Sequence, residues 1–331
     1  MTYNIYTISK YRSQIMGFAI LWIMVFHFYK IINPNYLNFI ISIGYGGVDI
    51  FLLMSGLGLY YSWQKNDNIK SFYKKRVFRL LPAFWIVVFC HDIITNSVSI
   101  ATLSKLSTLG LWLPIPSTYW YISAMVAFYT LFPLYMKYYT IHKEKCLFVV
   151  FIIGFILTSI YTLFNHSDTH RFDVVFFLSR IPIFFLGITF GRLSFEKKEL
   201  NSNTIGIISL LSIIAILVLL ITQSLFTYTF LQNTALNNYP FIILAPAISL
   251  VLSYVLIHSP KCINTALSFL GMISLELYLV HLQFTGTLKH FFIDTSFIGC
   301  LLRLLVYLLL SVISSWILHA IVKKVLSLIR L

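Results

Sequence analysis

Charge is scarce in this chain. Only 10% of its 331 residues are charged while 59% are hydrophobic, whereas a soluble globular domain carries roughly 25% charged residues. The shortfall excludes a water-soluble fold, because too few polar groups exist to cover its surface. Cysteine is also sparse. Cys90, Cys146, Cys262 and Cys300 are dispersed without metal-ligand spacing, so they read as apolar filler in or near membrane spans and no metal is expected. No linker rich in Pro, Gly or Ser interrupts the sequence, no repeat is defensible, and no connection is long enough for a soluble domain. Residues 1–331 therefore read as a single membrane-embedded domain. A Gly-x-Ser-x-Gly elbow is missing as well, which removes one source of an activated serine.

Long apolar runs take the place of charge, as in Ile205 to Ile221 and Leu304 to Leu318. They approach the roughly 20 residues that a helix needs to cross the hydrocarbon layer, and they lack the strict alternation of a transmembrane barrel. The fold expected is an all-α polytopic membrane protein of about ten transmembrane helices. The spans fall near 14–32, 39–61, 77–96, 119–137, 146–164, 174–193, 205–223, 239–257, 266–286 and 300–322. The first has basic flanks like a signal sequence, but no small-residue cleavage site follows, so it is read as a mature helix.

The formal charge of +14 has a membrane explanation, since basic residues collect in cytoplasmic loops. With both termini cytoplasmic, ten spans put 18 of the 24 Lys and Arg residues inside; Lys30, Lys105, Arg171, Arg180, Lys289 and Arg303 fall outside. That asymmetry leaves no nucleic-acid module. Connection 62–76 is cytoplasmic and basic, and 97–118, with Pro114 and Pro116, has room for a short interfacial segment. His166 and His170 lie in a polar exterior connection, 165–173, which reads as solvated loop rather than metal site.

Ionisable residues within spans are costly unless they face protein or water, which makes each a functional candidate. His27, Asp49, Glu276 and His281 stand out. The span order puts His27, Asp49 and His281 towards the exterior and Glu276 nearer mid-span. Ser274, Tyr278 and His281 share one helical face while Glu276 points elsewhere; a packing face with satisfied polar groups explains this equally well. On the opposite side, Lys74, Lys75, Arg76 and Arg79 form a basic concentration. It reads either as a positive-inside anchor or as phosphate capture, for which guanidinium groups are suited. These two poles fit an enzyme with a phosphorylated donor on one side and an acceptor on the other. They also fit a transporter of a lipid or saccharide, and a non-catalytic membrane assembly protein remains open.

Several fragments resemble, in order, the acyltransferase-3 family of integral membrane O-acyltransferases. They are MGFAILWIMVFH at 16–27, GYGGVDIFLLMSGLGL at 44–59, FYKKRVFRLLPAFW at 72–85, Trp120 with Tyr121, PIFFLGITFG at 182–191 and GMISLELYLVH at 271–281. The ordered set is more specific than any member. The resemblance implies transfer of an acyl group, most simply acetyl from acetyl-coenzyme A, or another group from another acyl-coenzyme A. The implied acceptor is a hydroxyl of a cell-envelope glycan or lipid-linked saccharide at the bacterial cytoplasmic membrane, and membrane lipids surround the protein.

By position, His27 matches the family's first-helix histidine, as general base or transient acyl carrier. Arg76 and Arg79, with Lys75 beside them, match the basic positions that contact the donor's phosphates, and Asp49 matches the second-helix acid. Tyr278, His281 and Glu276 fall on the late helix, where polar groups can stabilise an oxyanion. One position departs: Met16 stands where the family has an arginine followed by ten residues and then the histidine, and Arg12, one turn earlier on nearly the same face, is a candidate replacement.

Overall fold

The computed structural model describes residues 3–32, 38–109, 119–164, 171–225, 235–291 and 296–328. Within a bilayer every backbone polar group must find a partner in the protein, and helices do this locally. The described backbone is accordingly helical almost throughout. In chain order the helices are α1 (Tyr6–Lys10), α2 (Arg12–Ile32), α3 (Phe39–Ser42), α4 (Gly47–Lys65), α5 (Ile69–Ile94), α6 (Ile100–Leu106), α7 (Trp120–Tyr139), α8 (Lys143–Phe164), α9 (Arg171–Leu178) and α10 (Ile181–Phe195). They continue as α11 (Ser202–Leu225), α12 (Ala235–Asn238), α13 (Phe241–His258), α14 (Lys261–Met272), α15 (Ser274–Phe291) and α16 (Phe297–Leu328). Two short strands, β1 (Tyr3–Asn4) and β2 (Glu199–Leu200), pair antiparallel with Tyr3 opposite Leu200. The connection 97–118 contains the short helix α6, while Pro114 and Pro116 lie outside the described residues.

The chain is an all-α, polytopic integral membrane protein. Among the described residues, seven segments are long and apolar enough to cross a membrane, and an eighth is the pair α14 and α15, bent by 78°. The bend departs from the single straight span expected over 266–286. Helix α14 ends at Met272, and after Ile273 helix α15 begins at Ser274 with Glu276 in its first turn. There the helix dipole favours a carboxylate. Helices α4 and α7, of 19 and 20 residues, fall short on apolarity. Their sequences carry glycines, hydroxyls and aromatic residues, and much of each is buried, so protein rather than lipid covers them. The contrast is α11, where only 11% of the spanning stretch is buried and Ile207, Leu210, Ile213 and Leu217 face outward.

Two compact units divide the chain. The first comprises Met1–Arg12, Asp49–Tyr73 and Leu103–His258; the second comprises Ser13–Val48, Lys74–Thr102 and Ser259–Leu331. In the first unit α4 lies directly against α10. A Cβ on Gly56 would collide with the Phe184 carbonyl oxygen, and one on Gly187 with that of Leu53. Phe128 of α7 stacks on Phe184 at 4.4 Å between ring centroids, filling the space beside this contact. In the second unit Gly17 sits against the Leu267 carbonyl and Gly271 against that of Ser13, so α2 closely approaches α14. Helices α15 and α16 pack along each other.

Candidate active site

In the second unit α2 presents His27 to α15. His27 Nδ1 lies 3.0 Å from His281 Nε2, and His281 Nδ1 lies 2.9 Å from the Leu277 carbonyl oxygen. These contacts order the protons of the neutral pair. A carbonyl only accepts, so His281 carries its proton on Nδ1 and accepts at Nε2; His27 must then donate from Nδ1. The lone pair of His27 is consequently at Nε2. His281 is fully buried, whereas His27 is partly exposed. Phe26 flanks His27 at 5.0 Å between centroids, and Tyr278 lies one helical turn before His281 with its ring 6.0 Å away. The arrangement holds one imidazole by another and leaves it able to accept a proton.

Glu276, on the same helix, goes elsewhere. Its Oε1 is 2.8 Å from Nδ1 of His319 on α16. His319 also lies in an expected span, and the cost of a buried ionisable group that singled out four residues applies to it equally.

The basic residues lie on α5, which begins at Ile69, earlier than the expected span. Lys75 and Arg79 are exposed and Arg76 is partly buried, with its Nε enclosed. Pro82 follows inside the same helix without ending it.

In the first unit Asp49 Oδ2 accepts from Arg180 Nη2 at 3.2 Å, both side chains being almost fully buried. Arg180 Nη1 donates to the Phe176 carbonyl, and Trp120 and Phe176 lie against the guanidinium. Arg180, which the loop-charge pattern assigns to the exterior side, belongs to a buried pair. A buried aspartate called for such a cation. Tyr121, next to Trp120, hydrogen-bonds Ser55. Arg12 donates from Nε to the Met54 carbonyl at 2.8 Å, and the missing side chain of Gly58 makes room for its guanidinium.

No group of three metal-ligating side chains comes together among the described residues. His166 and His170 lie outside them. A family profile described as Acyltransferase domain matches residues 15–320. Comparisons with curated proteins and with solved structures give no match.

Proposed function

As a member of the Acyltransferase domain family the chain is a membrane-embedded acyltransferase, and we propose that it transfers acetyl from acetyl-coenzyme A to a hydroxyl of a cell-envelope glycan or lipid-linked saccharide. The observation that carries this reading is the ordered contact from Leu277 through His281 to His27, which leaves His27 Nε2 as a base. The acceptor O–H gives its proton to Nε2 as its oxygen attacks the thioester carbonyl. The C–O bond forms, the C–S bond breaks, and the coenzyme A thiolate takes up a proton. Tyr278 is placed in this reading to donate to the developing oxyanion.

Arg76, Arg79 and Lys75 hold the donor's phosphates, a role suited to fork-shaped guanidinium groups on the first turns of α5. Arg12 adds positive charge beside α4, with Nε held by Met54. Asp49 acts by positioning Arg180. Glu276 is held by His319 on α16. One acyltransferase domain is assigned to the whole chain, because the family match runs through residues of both units.

Ten spans with both termini cytoplasmic, in the bacterial cytoplasmic membrane, complete the reading. Helices α4 and α7 supply the two spans beyond the eight that are apolar enough. Loop charge supports the direction, as does the pairing of β1 with β2, a segment that the same charge pattern puts on the N-terminal side.

Membranes containing the protein, incubated with labelled acetyl-coenzyme A and extracted, should yield a labelled product. His27→Ala should reduce it by about 100-fold or more, the scale of lost general-base catalysis. Undiminished labelling by folded His27→Ala protein would sink the mechanism.

A further inference from the structure

Helix α16 carries a polar residue at every fourth position from Arg303 through Tyr307, Ser311 and Ser315 to His319. That spacing keeps them on neighbouring turns of one face, spanning about 24 Å at 1.5 Å per residue. Arg303, Tyr307, Ser311 and Ser315 are all at least 95% buried. The Tyr307 hydroxyl and the Ser311 and Ser315 Oγ atoms have no hydrogen-bond partner among the described residues, and neither does Oε2 of Glu276. Helix α16 otherwise turns apolar side chains outward, Leu309, Ile313 and Trp316 among them.

Leaving buried polar atoms unpaired is expensive, most of all where lipid surrounds the protein. One such atom is tolerable, but four along adjoining faces of α15 and α16 call for a polar occupant. Only five residues connect these packed helices, so they run antiparallel. With Glu276 bonded to His319, His281 lies about 7.5 Å further along α15, between the levels of Ser315 and Ser311 on α16. The Tyr307 ring lies tilted against that of Phe28, the neighbour of His27, at 5.5 Å between centroids. The seam thus leads from the Glu276–His319 pair to the two histidines.

We propose that the Arg303–His319 face of α16 is a hydrated seam whose Ser315, Ser311, Glu276 and His319 groups conduct protons between the His27–His281 pair and the His319 end. The proton's origin rests on the acyl transfer proposed above; the seam's hydration does not. His27 takes the acceptor's proton at Nε2 while keeping its Nδ1 proton hydrogen-bonded to His281, and after the transfer it gives up the Nε2 proton to water. Water and the seam's side chains carry one proton onward to Glu276 and His319, where it is released. The departing thiolate takes one from water, so charge balances.

The test replaces the native cysteines by serine and introduces single cysteines at Ser311, Ser315, Leu309 and Ile313 in the full chain in membranes. The probe is a trimethylammonium-ethyl thiosulfonate. Thiolate formation requires water, so the seam positions should react at least about tenfold faster than the outward-facing ones. Equal inertness would mean a dry packing stripe and overturn the proposal. Protection of the seam cysteines by acetyl-coenzyme A would assign the seam to the donor's arm and overturn the proton route. A second arm measures thiol release from acetyl-coenzyme A by His319→Gln and Glu276→Gln. Turnover should fall about 100-fold with unchanged KM and a raised solvent isotope effect. Normal turnover in both variants would overturn the relay even with a wet seam.

Discussion

At the scale of single residues, the central feature is that one histidine sets the tautomer of another. His281 both donates to Leu277 and accepts from His27. A glutamine can imitate both roles, whereas leucine imitates neither. His281→Leu should therefore lower acetyl transfer about 100-fold at constant KM for acetyl-coenzyme A, and His281→Gln should recover most of that loss. Equal damage by both would indicate that the imidazole itself is needed. Asp49 behaves differently, because its partner is a buried cation. Asp49→Ala strands the Arg180 charge and should destabilise the protein by about 3–5 kcal/mol, while the double variant Asp49→Leu with Arg180→Leu should restore most of the stability. Thermal unfolding in detergent reads the first quantity and acetyl transfer tests the second. Restored folding without restored activity would assign Asp49 a direct catalytic role.

Among the elements, the long helices were legible because hydrocarbon imposes a length and a solvent imposes a polarity, and both are local properties of sequence. The break at Ile273 was not. It lies beside the close approach of α2 to α14 at Gly17 and Gly271, which is a contact between distant parts of the chain. The candidate site divides in the same way. Cost of burial picked out His27, Asp49, Glu276 and His281 from sequence, but their partners could not be read because pairing is tertiary. Arg180 was not recognisable as the partner of Asp49 for that reason. The contact of α4 with α10 belongs to this scale too, and it explains why the fragments 44–59 and 182–191 both contain glycine. A leucine at Gly187 would drive a side chain into the Leu53 backbone, which cannot withdraw. Gly187→Leu should abolish a monodisperse elution peak, whereas Gly206→Leu should leave it intact, since nothing lies within 4 Å of a Cβ there.

For the whole molecule, the count of spans decides which loops share a side, and even totals of eight or ten give the same answer for the termini. The discriminating positions flank α4 and α7. If α4 crosses the membrane, Ile40 and Asn66 lie on opposite sides; if α7 does, so do Ser99 and Ile141. All four are exposed, and single cysteines there, in a background without Cys90, Cys146, Cys262 and Cys300, can be labelled by an impermeant maleimide on intact cells. The ten-span reading requires Ile40→Cys and Ser99→Cys to label from outside, and Asn66→Cys and Ile141→Cys only after permeabilisation. The physical basis is that α4 and α7 are buried among other helices, so they can cross hydrocarbon while being less apolar than a helix such as α11 that meets lipid directly. Labelling of Ile40→Cys and Asn66→Cys from the same side would remove α4 as a span and reverse the direction of every element after it. The basic turns of α5 would then lie away from the cytoplasm that supplies coenzyme A, and the assignment of Arg76 and Arg79 to its phosphates would fall with them.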